Sequence, residues 1–109
     1  MSYSVIATPD FVKELKPLAK KYPSLKNELY ELSESLSTNP RQGESLGLDS
    51  YKIRLAIQSK GKGKSGGGRI ITHVVVEETR VYIISIYDKS SQSSISKDEI
   101  KQRIKAIKK

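Results

Sequence analysis

Two segments in the second half of the chain place apolar residues on both faces, and they most constrain the fold. Arg69 to Val76 and Val81 to Tyr87 are rich in isoleucine and valine. Short apolar runs of this kind are typical of strands inside a sheet. Only Glu77 to Arg80 separates them, so the two strands are predicted to be antiparallel neighbours, with the first in a central position.

A short strand and a helical hairpin are predicted before this pair. Tyr3 to Ala7 alternates weakly between polar and apolar residues, which indicates a strand. Thr8 and Pro9 are typical of a helix start. We expect Pro17 to kink or break this helix. A second helix is predicted to begin at Pro23-Ser24 and to end at Asn39-Pro40, forming a hairpin with the first.

The rest of the chain completes an α+β domain. Arg41 to Ser50 contains two glycines and is predicted to be a loop. Tyr51 to Ile57 alternates clearly and predicts a strand with Lys52 and Arg54 on one face. Ser96 to Glu99 matches a capping box and predicts a final helix. The predicted order is β-α-α-β-β-β-α, with a small twisted, mainly antiparallel sheet in one domain over residues 1–109.

Positive charge is concentrated between residues 50 and 76, where no acidic residue occurs. The whole chain has a formal net charge of +8 and a pI of about 9.7. Cations gathered in this way repel one another unless an anion balances them, and a polyphosphate is the simplest candidate. The six cations of this segment are Lys52, Arg54, Lys60, Lys62, Lys64 and Arg69.

The glycine-rich segment from Gln58 to Gly68 permits two interpretations. Gly61 to Gly66 matches a dinucleotide-binding motif, but that motif needs a helix directly after it, and a strand is predicted there. One interpretation is a solvated hairpin tip. The other is a phosphate clamp, because glycines allow the backbone to approach an anion closely; Lys60, Lys62 and Lys64 would then bind RNA.

Other residue types exclude several kinds of site. The chain has no cysteine, which excludes disulfides and thiolate zinc sites. Its single histidine, His73, lies in an apolar strand and is interpreted as structural, so a paired-histidine nuclease is excluded. Asp88 is interpreted as a turn cap or a local ion pair with Lys89.

No apolar stretch approaches about 18 residues, so we expect an intracellular protein without a membrane span.

Three blocks of the sequence resemble the RelE/ParE superfamily of type II toxins, and the RelE/HigB-like branch in particular. They are Tyr51 to Leu55, Ser59 to Arg69 and Ile84 to Lys89. The resemblance implies a cytoplasmic toxin that cuts mRNA, typically in the ribosomal A site, and a cognate antitoxin that neutralises it. It implies a basic active site on the sheet, without a metal or a small-molecule cofactor.

The resemblance also assigns candidate catalytic residues by position. Lys52 and Arg54 match the paired basic residues of the strand, and Arg69 matches the arginine that opens the next strand. Lys89 approximately matches a basic residue after the last strand. Some relatives place a catalytic tyrosine just before the last helix, where this chain has Ile95. Tyr87, at the strand end, is the candidate substitute.

Cleavage of RNA by its own 2′-hydroxyl needs a base, cations that neutralise the phosphate, and an acid for the leaving oxygen. Arginine stays protonated and cannot be the base, whereas a lysine crowded by positive charge can. Lys52 is therefore the candidate base, and Arg54 and Arg69 are candidate phosphate clamps. Lys89 or Tyr87 would be the acid or a base-stacking partner.

Two alternative functions remain open at this point. The same superfamily contains gyrase poisons, which act on a protein target and lack the cleavage cluster. A non-catalytic RNA-binding or ribosome-binding module would use the same positive charge without cutting its ligand, and its binding would weaken with salt.

Overall fold

The protein, described by a computed structural model over residues 2–61, 67–92 and 94–107, forms a five-stranded sheet with helices on both faces. The strands run in the order β1-β5-β4-β3-β2, with β1 parallel to β5 and every other pair antiparallel. Within the described ranges, no helix is long and apolar enough to cross a bilayer. The elements are β1 (Ser4–Ala7), α1 (Pro9–Lys21), α2 (Leu25–Thr38), β2 (Glu44–Gly47), β3 (Ser50–Leu55), β4 (Gly68–Val75), β5 (Arg80–Asp88) and α3 (Lys97–Ile107).

The β4–β5 pair is buried on both faces, as its sequence predicts. On one face, Ile70 and Val81 pack with the helical hairpin of α1 and α2. On the other face, Ile71 and Ile84 pack with Ile100 of α3. The α+β class and the predicted succession of elements are confirmed, and β2 is a further short strand within that succession.

Helix α1 begins as predicted but does not end at its internal proline. Thr8 is the N-cap, and its Oγ1 accepts a hydrogen bond of 3.4 Å from the Phe11 N–H. The helix then continues through Pro17 to Lys21, so the expected break is wrong. A proline removes one backbone hydrogen bond, whereas the packing of Leu15 and Leu18 on the core supports the whole helix.

The segment predicted to be a loop, Arg41 to Ser50, contains β2 instead. Gly47 pairs with Ser50 across a two-residue turn, in which Leu48 and Asp49 have φ angles of 57° and 55°. Two central residues with positive φ are typical of tight hairpin turns, which usually use asparagine and glycine. Because this turn lacks that signature, the local sequence gives no signal for the hairpin.

Helices α1 and α3 meet at the uncovered edge of β5. Pairing with β1 ends at Ile83, and no strand among the described residues borders the rest of that edge. Glu14 of α1 accepts a 3.3 Å hydrogen bond from the Ile86 N–H, and Arg103 of α3 donates a 2.8 Å bond to the Ile84 carbonyl. Two bonds of 2.9 Å join Arg103 to Glu14. This pair, here called the edge clamp, satisfies the strand edge and ties the two helical layers together.

The edge clamp predicts a stability difference between two arginines. Arg103→Met removes the side-chain donor of the Ile84 carbonyl and both arginine bonds to the Glu14 carboxylate, which keeps only weaker neutral donors such as the Ile86 N–H. Loss of hydrogen bonds to a charged group of this kind costs about 1–3 kcal/mol. Arg80→Met breaks an exposed pair with Glu78, which is worth below about 1 kcal/mol. Urea unfolding followed by circular dichroism measures both. Equal stability of the two variants would contradict the clamp.

Candidate functional site

Four of the predicted site residues lie on the face of the sheet that α3 covers. Arg54 pairs with Arg69, and Arg69 pairs with Tyr87, so these three side chains form a row across β3, β4 and β5. Paired residues in a sheet point to the same face, and so do residues two apart in a strand. Lys52 therefore lies beside the row. We call Arg54, Arg69 and Tyr87 the cross-strand row.

A cavity of about 310 Å³ opens between this face and the first turn of α3. Lys52 and Tyr87 line it from the sheet, and Lys97 lines it from the helix. Arg54 and Arg69 do not line it. We call this space the α3 cavity; its remaining walls are Ser45, Leu46, Ile71, Ser94, Ile95 and Ile100.

Tyr87 lines the α3 cavity and has a buried, unsatisfied hydroxyl. The residue is only 4% exposed, and its hydroxyl has no hydrogen-bond partner in the described part of the chain. Burial raises the pKa of Tyr87, and the nearby charge of Arg69 only partly opposes this. The phenol is therefore neutral at physiological pH, and it can donate a hydrogen bond or a proton to a bound group.

The predicted cations differ in how far they reach solvent. Arg69 is 5% exposed, and its Nη1 donates a 3.1 Å hydrogen bond to the Gly68 carbonyl. Arg54 and Lys89 are exposed. The Lys52 ammonium lies 3.9 Å from the exposed Glu44 carboxylate, which is a weak pair in water. An incoming phosphate can therefore reach Arg54, Lys52 and Lys89 directly, while Arg69 acts from below the surface.

A second groove borders the same strand but suits an anion less well. It measures about 750 Å³ and lies between β3 and α2. Lys52 and Arg54 are on one wall, and Glu28 and Glu31 are on the other. Carboxylates on that wall would repel a phosphate. The α3 cavity has no acidic residue among its lining residues, so it is the better candidate for a nucleic-acid contact.

Lys60 is placed on the opposite side of the sheet. Its ammonium forms an ion pair with Asp88 and a 2.6 Å hydrogen bond with Ser90 Oγ. The Tyr22 hydroxyl donates a 2.9 Å bond to the other Asp88 oxygen. The side chains of Lys60 and Asp88 are only 8% and 3% exposed. We call this group the buried clasp.

The buried clasp bears on two interpretations of the sequence. The charge of Lys60 is balanced inside the protein, which argues against its predicted RNA contact. Asp88 forms its ion pair with Lys60 rather than with the adjacent Lys89, although it also caps the following turn through the Ser90 N–H. The two other lysines predicted to bind RNA, Lys62 and Lys64, lie outside the described residues.

The clasp also predicts a dependence of stability on pH. Burial alone would raise the pKa of Asp88, but hydrogen bonds from Lys60, Ser90 and Tyr22 outweigh it and hold this pKa well below its ordinary value of 3.8. A lowered pKa in the folded state adds stability above the unfolded pKa, and that stability is lost as the pH falls below it. Asp88→Asn should therefore be less stable at neutral pH and should lose less stability on acidification.

Urea unfolding between about pH 6 and pH 2 measures this effect, since one titrating group changes the unfolding free energy by at most about 1.4 kcal/mol per pH unit. Asp49→Asn is the matched control, because its carboxylate is 65% exposed and its nearest cation is 3.7 Å away. The control should keep the acid slope of the unmodified protein. If Asp88→Asn keeps the same slope as well, the clasp does not hold the carboxylate as described.

Lys97 is the site residue that the sequence did not reveal. The sequence of its segment predicts only a helix start, and Ser96 Oγ does accept a 3.1 Å hydrogen bond from the Glu99 N–H. A lysine directly after a helix cap is a weak signal, because most such residues are solvated. His73, by contrast, is buried in β4 opposite Ser50 and Tyr82, away from the cross-strand row.

No family model matches the sequence, whereas solved structures of toxins do match the fold. A variant of E. coli toxin RelE in the free state is 22% identical, with a TM-score of 0.62 over 85% of this chain and 90% of that one. The E. coli RelBE toxin-antitoxin complex is 23% identical, with a TM-score of 0.61 over 80% of this chain and 96% of that one. A RelBE toxin-antitoxin complex from Mycobacterium tuberculosis is 19% identical, with a TM-score of 0.57 over 81% of this chain and 99% of that one. The chain therefore has the RelE-like fold, as the resemblance implied.

Proposed function

We propose that this protein is the toxin of a type II toxin-antitoxin system and that it cleaves mRNA on the ribosome. The observation that carries the proposal is the cross-strand row with Lys52 beside it. Three cations and a neutral phenol are gathered on one face of a RelE-like sheet, and the cavity next to them has no acidic residue in its lining. This is the set of groups that metal-independent RNA cleavage requires.

In the proposed mechanism, Lys52 takes the proton from a 2′-hydroxyl of the RNA. The 2′-oxygen attacks the adjacent phosphorus, the bond from phosphorus to the 5′-oxygen breaks, and the products are a cyclic phosphate and a free 5′-hydroxyl. Arg54 holds the phosphate through two donors, and buried Arg69 adds positive potential from below. Tyr87, which is protonated at neutral pH, donates the proton to the leaving oxygen.

Lys89 is proposed as a second contact to the RNA. It is exposed directly after the strand that ends with Tyr87 and Asp88. Its ammonium can approach the leaving group or the next phosphate along the strand. The buried clasp fixes Asp88 between Tyr87 and Lys89, so the positions of both neighbours depend on it.

The proposed partners follow from the same positive surface. Two of the solved structures with this fold are toxin-antitoxin complexes, which supports a cognate antitoxin for this chain. With a net charge of +8, the protein attracts an acidic antitoxin segment as well as RNA. A protein that acts on translated mRNA works in the cytoplasm, where its other partner, the ribosome, is found.

The proposed roles predict large losses of activity in a translation extract. Lys52→Met removes the base and should slow cleavage by about 10²–10⁴-fold. Arg54→Met removes a phosphate clamp and should slow it by about 10²–10³-fold. Primer extension on the translated mRNA measures the cut products. Lys105→Met, which removes an exposed lysine near the opposite end of α3, should cleave at the normal rate.

Other outcomes of this experiment identify the alternatives. Undiminished cleavage by both Lys52→Met and Arg69→Ala would show that the assigned residues are wrong. Inhibition of gyrase supercoiling without any cut RNA would identify a gyrase poison. Salt-sensitive binding to RNA or ribosomes without products would identify a non-catalytic module.

A further inference from the structure

The α3 cavity contains more binding groups than the cleavage step uses. Lys97 and the hydroxyls of Ser45 and Ser94 have no role in that step, yet they line the same space as Lys52 and Tyr87. Lys52 and Lys97 come from different elements, so their proximity is a product of the fold and not of a charged run in the sequence.

The polar side of the cavity is suited to an anion. Two lysines, Lys52 and Lys97, line a space that has no acidic lining residue. The cavity also adjoins the N-terminal end of α3, an 11-residue helix, where the helix dipole favours negative charge. A buried hydroxyl without a partner is destabilising, so the Tyr87 hydroxyl, unpartnered within the described residues, is a second, independent sign that this cavity accepts a polar group.

The other side of the cavity is apolar. Leu46 of β2 and Ile95 are half-buried there, and Ile71 and Ile100 are buried. A ligand that fits both sides has a negatively charged group and a flat apolar part. The volume of about 310 Å³ is at the lower end of the range of about 300–1,000 Å³ for small-molecule sites. Such a space suits one nucleotide.

We propose that the α3 cavity binds a single nucleotide of the substrate RNA next to the cleaved bond, with Lys97 as a phosphate-binding residue. The phosphate lies between Lys97 and Lys52, the Tyr87 hydroxyl donates a hydrogen bond to it, and the base packs against Leu46 and Ile95. The identity of the ligand as RNA rests on the proposed function. The cavity itself can be tested without any cleavage.

The test is an NMR titration of the full chain at low salt with each of the four 5′-ribonucleoside monophosphates. The amide chemical shifts are the measured quantity. Saturable shifts should appear at the residues that line the cavity, and inorganic phosphate should bind more weakly because it lacks the base. Lys97→Met should weaken nucleotide binding about 10-fold or more, the equivalent of about 1.4 kcal/mol. Lys97→Arg should retain most of the binding.

Lys101→Met is the matched control, since this exposed lysine of α3 lines a different groove. It should bind nucleotides normally. Melting temperatures of all variants verify the fold, and exposed Lys97 should tolerate substitution. In cleavage of mRNA on programmed ribosomes, Lys97→Met should raise KM far more than it lowers kcat, because Lys97 binds substrate without moving a proton.

The outcomes separate this inference from the proposed function. Nucleotide binding that depends on Lys97, in a protein that cuts no RNA, would support the cavity and refute the ribonuclease. Normal cleavage and normal nucleotide binding by Lys97→Met would refute the cavity alone. Equal shifts with inorganic phosphate, or shifts only with an acidic peptide, would also overturn the nucleotide assignment and would indicate a simple anion site or a protein-binding site.

Discussion

The structure depends on one constraint, which is that β4 and β5 carry large apolar side chains on both faces. Neither face can remain in water, so the sheet needs a layer on each side. The helical hairpin covers one face, and α3 has to cover the other through Ile100 and Ile104. That second face also carries the cross-strand row. The cavity beside the candidate catalytic groups is therefore a consequence of how the core is closed.

Two ion pairs attach the helical layers to strand β5. One pair binds the backbone of the strand, and the other includes the side chain of its last residue. At its middle, the edge clamp of Glu14 and Arg103 replaces the strand that β1 is too short to provide. At its end, the buried clasp joins Asp88 to Lys60 and to Tyr22 in the turn after α1. Charges withdrawn from water are costly unless they are paired, so the buried Lys60–Asp88 pair and, to a lesser degree, the partly exposed edge clamp favour one arrangement of the helices around the sheet.

The alternation of side chains along β5 separates structural charge from functional charge. Tyr87 points to the α3 side with the cations of the cross-strand row, whereas Asp88 points to the hairpin side and neutralises Lys60. One residue of displacement in the strand would exchange these environments. The positive charge of the segment between residues 50 and 76 is thus divided: one part stabilises the fold, and the other is available to an anion.

Local sequence patterns determined most of the fold: the central strand pair, both helices of the hairpin and the cap of α3 follow from periodicity and capping residues, which act over a few positions. They also placed Lys52 and Arg54 on one face. They did not reveal β2, whose turn uses residues without a hairpin signature, or the continuity of α1 through Pro17, which packing maintains. Only the tertiary structure decided that Lys60 is buried against Asp88 and that Lys97 joins Lys52 and Tyr87. Those contacts join residues far apart in the chain, and a charged side chain carries no local signal of which distant partner it will meet.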